Sequence, residues 1–242
     1  MHLNMRKTLA VLAILIPVCL NAQNEIKRVN FVEPKDMPQS VNFLPSPPEL
    51  EDPLFFNDWV EYVKGKELRS TERGQLAVED AATTLAYYMK RFGEAMETDI
   101  NPKDYPLLAS YILSTYTTIR ASIQVAKDTY ARVRPYNQFH EGTPVPEHES
   151  PDDRTSYPSG HTTRAWAIAL ALVSVDPAHQ DAILKTGYEI GQSRVIVGFH
   201  YQSDVDAARI AASAGFARLI GEPEFQQALA DAKSEFDAKK AD

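Results

Sequence analysis

The chain has 242 residues, 44% hydrophobic and 24% charged, an ordinary globular composition that excludes disorder as a description of the whole. A single Cys excludes a disulfide scaffold, and 10 Gly and 16 Pro without a period exclude collagen-like or low-complexity structure. The formal net charge of −8 argues against a non-specific nucleic-acid binder, which needs a basic face.

Residues 1–22 read as a cleaved secretory signal. Arg6 and Lys7 form a basic start, and Thr8 to Leu20 is an uncharged, mostly apolar run of 13 residues, short for a membrane span. Ala22 supplies the small residue before the cut. The run length disfavours a permanent anchor, and Val18 disfavours lipid attachment at Cys19. Cleavage leaves a mature chain without thiol, with net charge −10 from 23 basic and 33 acidic residues, and a periplasmic or secreted location is expected.

Residues 23–53 hold Pro34, Pro38, Pro45, Pro47, Pro48 and Pro53 and are expected to form an extended surface arm. From 54 to 242 the apolar spacing is helical, and one all-α domain is expected, compact and without repeats or an internal linker. Helices are predicted over 54–68, from a cap at Ser70 or Thr71 to about 96, and over 106–132. After a Pro-rich loop at 135–158, helices follow over 162–175, 178–197, 202–220 and 223–240. The most apolar of them, Ala165 to Val175, is a buried core helix and too short to cross a membrane.

Three segments carry chemistry. In Lys127-Asp-Thr-Tyr-Ala-Arg-Val-Arg134-Pro135, cations seven apart share a helix face, and Pro135 stops the helix. In Tyr157-Pro158-Ser159-Gly160-His161-Thr162 a helix begins at Gly160, so the N–H groups of Ser159, Gly160 and His161 can converge on an anion, with Thr162 and Thr163 hydroxyls nearby. In Ser193-Arg194-x5-His200-x3-Asp204 the carboxylate four residues on can hold one imidazole nitrogen and aim the other outward.

Each segment alone has an ordinary reading, as a solvated face or a capped helix start. Eleven fixed residues in one order are another matter. At roughly 5% per residue the coincidence is below about one in a hundred million. Three cations and a ring of N–H donors suit a group with three equatorial oxygens, with one His to attack and one to protonate the leaving group.

The pattern Lys-x6-Arg-Pro, Pro-Ser-Gly-His, Ser-Arg-x5-His-x3-Asp resembles the type-2 phosphatidic acid phosphatase superfamily. Ser156–Thr162, Gly187–Arg194 and Gln202–Arg209 look like its bacterial class A non-specific acid phosphatases. The resemblance runs from about residue 54 to the end; it departs in the absence of Cys from the mature chain and in Thr155, where Gly is frequent. It implies a secreted, metal-independent acid phosphatase of broad specificity, working on small-molecule phosphate monoesters through a phosphohistidine, without a cofactor, nucleic acid or membrane span. A homo-oligomer stays open. By the same resemblance His200 is the nucleophile, Asp204 orients it, and His161 is the general acid. Lys127, Arg134, Arg194, Ser159 and the Gly160 N–H bind phosphate. Residue chemistry alone gives the same roles except for which histidine attacks; there Asp204, four residues on, favours His200.

Other readings weigh less. His140 and His148 flank an acidic Pro-rich loop whose spacing matches no metal-ligand set, so a solvated lid is expected there. Tyr136 and Tyr157 are expected at the pocket mouth, His179 in a structural role, and Trp59 and Trp166 in the core. A dedicated lipid or pyrophosphate-linked phosphatase, a haloperoxidase and a phosphate binder without turnover are the competing functions. The lack of membrane spans, the short chain and the intact His161, His200 and Asp204 count against each in turn.

Overall fold

In the computed structural model, which describes residues 26–240, the chain forms α1 (Phe55–Leu68), α2 (Glu72–Glu79), α3 (Leu85–Ala95), α4 (Pro106–Ile119), α5 (Ala121–Tyr130), α6 (Pro135–Gln138), α7 (Gly160–Val175), α8 (Gln180–Ile196), α9 (Gln202–Leu219) and α10 (Pro223–Lys240). Short 3-10 turns join them, and no strand occurs among the described residues, so the expected all-α fold is what forms. The signal segment and Cys19 lie outside the described residues. No helix among those described is long and apolar enough to cross a membrane.

α7 is the central helix. Ala165, Ala167, Ile168, Ala169, Ala171, Leu172 and Val175 are buried, and their side chains meet α8, α9 and α4. Small residues bring these helices close. A Cβ on Gly187 of α8 would stand 2.7 Å from the Ala169 Cβ, inside van der Waals contact. α10 covers α4, and α1, α2 and α3 pack on α8.

Two predicted helices are each broken in two. The first stops at Asp80, because its buried carboxylate accepts from Ser193 Oγ at 2.6 Å and Tyr87 Oη at 2.7 Å. Thr84 then caps α3 through the Tyr87 N–H. The second bends at Arg120. Just before it, the hydroxyls of Thr115, Thr117 and Thr118 donate to carbonyls four residues back, which bends helices.

The Pro-rich segment is not a loose surface arm. Phe31, Val32 and Met37 join the main core, and Phe31 meets Phe225 edge-on with ring centroids 5.3 Å apart. The N–H groups of Lys27, Val29 and Phe31 donate to Ser110 Oγ, Ser114 Oγ and Thr118 Oγ1 at 3.0–3.2 Å. Two extended residues advance about 6.6 Å and four helical ones about 6 Å, so an extended chain keeps step with hydroxyls one turn apart on α4.

Candidate active site

The three sequence segments meet around one pocket of about 410 Å³. Lys127, Arg134, Gly160, His161, Arg194 and His200 all line it.

Lys127 and Arg134 arrive by a different route from the expected one. α5 ends at Tyr130, Ala131 takes a left-handed conformation with φ 42°, and Arg134 lies on extended chain with ψ 152°. The two cations therefore do not share a helix face. Pro135 opens α6 instead of stopping a helix, as its fixed φ and missing N–H suit a first helical position. Lys127 Nζ donates to the Thr155 carbonyl. Burial and the neighbouring Arg134 push the Lys127 amine down to about 7, so its charge is full only on the acid side of neutrality.

Arg194 is the clearest sign of an anion-binding site. It is buried near the end of α8, over the Phe199 ring at 4.6 Å, and its Nε and Nη1 have no hydrogen-bond partner among the described residues. Burial, then Arg134, lowers the guanidinium to about 10. An unpaired buried cation costs several kcal/mol unless something negative joins it, roughly 3–5 in comparable cases.

The N-terminus of α7 forms the floor, with one difference from expectation. The Ser159 N–H donates to the Asp204 carbonyl at 3.0 Å, so it is not available to a ligand. Ser159 caps the helix by accepting from the Thr162 N–H and from Thr162 Oγ1. Those bonds leave the Ser159 hydroxyl proton uncommitted; the residue has no solvent exposure and is not among those lining the pocket. Thr163 Oγ1 bonds the Ser159 carbonyl, so neither Thr hydroxyl faces the ligand. The first-turn N–H groups of Gly160 and His161 take no backbone partner.

His200 sits on the turn between α8 and α9. Gly198, at φ 84°, reverses the chain, and the N–H groups of Phe199 and His200 both donate to the Arg194 carbonyl. His200 therefore precedes α9, and the pair is not a helical i,i+4 contact. Asp204 is the third residue of α9, and its Oδ2 curls back to accept from the Tyr201 N–H at 2.9 Å. Arg134 Nη1 stands 3.0 Å from His200 Nε2. Since arginine only donates, Nε2 holds the lone pair and the ring proton is on Nδ1. Nδ1 faces Asp204 Oδ2 across 3.4 Å, a loose contact. Burial, then Arg134, pushes the imidazole down to about 3, so His200 is neutral at any mildly acid pH.

Arg132 is the residue that the sequence reading passed over. Its Nη1 donates to Asp204 Oδ1 at 2.6 Å and its Nη2 to Asp58 Oδ2 at 2.8 Å. Asp58 in turn accepts from the Ser203 N–H and hydroxyl, and Ser156 Oγ donates to Asp204 Oδ2 at 2.6 Å. Burial would raise the Asp204 carboxyl, but Arg132 and the donors around it hold it well below the usual range. The only sequence signal was an Arg inside the Lys127–Arg134 segment, and Asp58 lies 74 residues away.

His161 is half-buried on α7. Its Nε2 lies 3.1 Å from the Tyr88 hydroxyl. Burial, then Arg194 and Arg164, holds the imidazole well below 6.5.

The remaining candidates separate. The 137–153 loop is exposed over much of its length, its His148 and Asp153 reach the pocket wall, and bonds from Tyr136 to Ser150 and from Tyr62 and Lys66 to Glu141 tie it down. No group of three or more His, Cys, Asp or Glu is placed to hold a metal ion among the described residues. Tyr136 packs on Phe199 and Tyr157 bonds the Pro45 carbonyl; both are buried away from the mouth. His179 bonds Asp176 at 2.7 Å in a structural role. Trp59 is 42% exposed and not a core residue, meeting Phe139 edge-on with ring centroids 5.3 Å apart, whereas Trp166 is partly buried and packs against the main core.

The PAP2 superfamily model matches residues 105–220, a span that contains every cage and catalytic candidate. The non-specific acid phosphatase of Providencia stuartii is 44% identical over 199 residues, 81% of this chain and 80% of that protein. That of Salmonella typhi is 37% identical over 214 residues, 86% of this chain and 84% of that protein. The acid phosphatase of Zymomonas mobilis subsp. mobilis is 32% identical over 198 residues, 81% and 74% of the two chains. Identity of this extent, together with an intact cage built from all three motifs, makes this chain a member of the PAP2 superfamily, in the branch of the bacterial class A non-specific acid phosphatases.

Proposed function

We propose that this protein hydrolyses small phosphate monoesters of broad structure by way of a phosphohistidine on His200. The observation that carries the reading is one pocket holding both the unpaired Arg194 guanidinium and a neutral His200 whose Nε2 lone pair faces Arg134. The phosphoryl oxygens take Arg194, Lys127 and the α7 N-terminus, and Arg134 turns from Nε2 onto the anion. Nε2 then bonds phosphorus while the ester oxygen departs with a proton from His161. The ring becomes cationic, and Asp204, held ionised by Arg132, draws in on Nδ1–H to balance it. Water next attacks phosphorus, gives its proton to His161, and breaks the P–N bond to release phosphate and neutral His200.

Five cationic side chains and one carboxylate line the pocket, a field that attracts an oxyanion and repels a metal ion, so the reaction is proposed to run without one. Residues 1–22 are proposed to direct export and be removed. Export is tested by N-terminal sequencing of the mature chain from outside the cytoplasm; an intact Met1 on a cytoplasmic protein refutes it.

Rapid quench with labelled substrate tests the mechanism. Label that survives alkali, is lost in acid and vanishes in His200→Ala supports it. Label that persists in His200→Ala reverses the two histidines, and no label in the wild type makes direct attack by water the mechanism. Activity lost in chelator and restored by a divalent metal refutes the metal-free reading.

A further inference from the structure

Beyond the phosphoryl cage, two arginines line the same pocket without a task in the reaction. Arg164 stands one turn after His161 on α7, and Arg120 stands at the bend between α4 and α5. Neither pairs with a carboxylate among the described residues, whereas the pocket's one acid, Asp153, is taken by Arg134 at 2.7 Å. We propose that Arg164 and Arg120 form a leaving-group subsite selecting phosphate monoesters whose alcohol carries a second anionic group, a phosphate or a carboxylate.

The placement follows from the chemistry proposed above, on which this inference rests. The ester oxygen leaves toward its proton donor, His161, so the alcohol lies on the His161 side of the cage. Arg164 is fixed there. Its Nη1 donates to the Thr83 carbonyl at 3.1 Å, and its guanidinium lies 5.1 Å from the Tyr116 ring centroid and 5.8 Å from that of Tyr88. That hold commits one edge of the fork and leaves its other N–H groups for a planar anion. The charge of Arg164 is felt at His161 and that of Arg120 at Lys127, so both are within electrostatic reach of a bound ester. A phosphoryl dianion leaves the pocket's positive charge in excess, and a second anion on the alcohol offsets it. Arg120 and Gln124 also line an adjoining groove that carries Arg28 and Lys35, so the cationic track continues outward for larger polyanionic alcohols.

The test compares 3-phosphoglycerate with glycerol 3-phosphate, which share a skeleton and differ by a carboxylate in place of a hydroxymethyl group, with p-nitrophenyl phosphate as an aryl ester whose alcohol part carries no charge. The readout is the ratio of kcat/KM for the two glyceryl esters. In the wild type it is expected near tenfold in favour of the acid, falling as salt rises. Arg164→Met and Arg120→Met are each expected to cut the ratio severalfold and the double variant to bring it near one, while Arg164→Lys keeps part of it. A wild-type ratio at or below one overturns the proposal, as does a ratio that neither Met variant moves. Hydrolysis of p-nitrophenyl phosphate and glycerol 3-phosphate without a charge preference sinks this subsite alone. No hydrolysis of any of the three sinks the phosphatase reading with it.

Discussion

Replacing Arg132 by Met isolates the buried network behind His200. The side chain holds two carboxylates, Asp204 at 2.6 Å and Asp58 at 2.8 Å, both essentially without solvent exposure. Met fills similar space but leaves two buried anions without their counter-charge, and breaking such a pair typically costs about 3–5 kcal/mol. Set against a total stability of roughly 5–15 kcal/mol, the variant should fold in the cold with a much lower Tm. The catalytic consequence is separable. Arg132 is what outweighs burial at Asp204, so its loss raises the Asp204 carboxyl, and a protonated Asp204 cannot accept from His200 Nδ1–H. The acid limb of kcat/KM should move to higher pH, and kcat should fall about 10²-fold as the imidazole loses its hold. Arg132→Lys keeps the charge but reaches only one of the two carboxylates, so it should restore most of the pH limb and less of the stability. The measurement is kcat/KM for p-nitrophenyl phosphate against pH at low temperature, beside urea denaturation. A wild-type pH limb and kcat per folded Arg132→Met molecule would falsify the argument.

Three further outcomes follow from the same geometry. His161 must be protonated to donate, so activity is lost as pH rises through its titration; in the free enzyme burial, then Arg194 and Arg164, depresses that point, and a bound dianion offsets the two arginines and raises it. The alkaline limb of kcat/KM should therefore lie at lower pH than that of kcat, and Arg164→Met should move the kcat/KM limb upward; coincident limbs would contradict this. His200 is neutral in the native state down to about pH 3, while the unfolded chain protonates it below about 6.5, so this group removes about 1.4 kcal/mol of stability per pH unit as pH falls between those values. His200→Gln should accordingly lose about 2 kcal/mol less than the wild type between pH 7 and pH 5 in urea denaturation, and equal losses would refute the depressed value. A Cβ on Gly160 would meet Lys127 Cε at 3.7 Å and Ile123 Cδ1 at 3.9 Å, ordinary contacts, so Gly160→Ala should keep stability within about 0.5 kcal/mol. A Tm drop matching several kcal/mol would mean the α7 N-terminus tolerates no side chain.

The sequence by itself determined the class of the protein and the residues of its cage, because those are local facts. Apolar residues at helical spacing announce α4 and α7 to α10, and a cap such as Ser159 before Gly160 marks a helix start within a few residues. The motif residues could be named one by one, and Lys127, Arg134, Gly160, His161, Arg194 and His200 converge as the pattern implied. What the tertiary structure decided are the matters settled by partners distant in sequence. Asp80 ends a helix whose apolar pattern runs on, since its carboxylate is claimed by Ser193, 113 residues later. Lys127 and Arg134 share a pocket but no helix face, since Ala131 turns the chain left-handed between them. Residues 26–53 look like a solvent-exposed arm by proline content and yet bury Phe31 and Met37 in the main core and bond a row of hydroxyls on α4 through Lys27, Val29 and Phe31. Arg132 carried no motif, and its role rests on Asp58, a carboxylate that only folding brings beside Asp204. Local periodicity reports how a segment curls; a buried charge reports nothing until the opposite charge that satisfies it has been carried to its side.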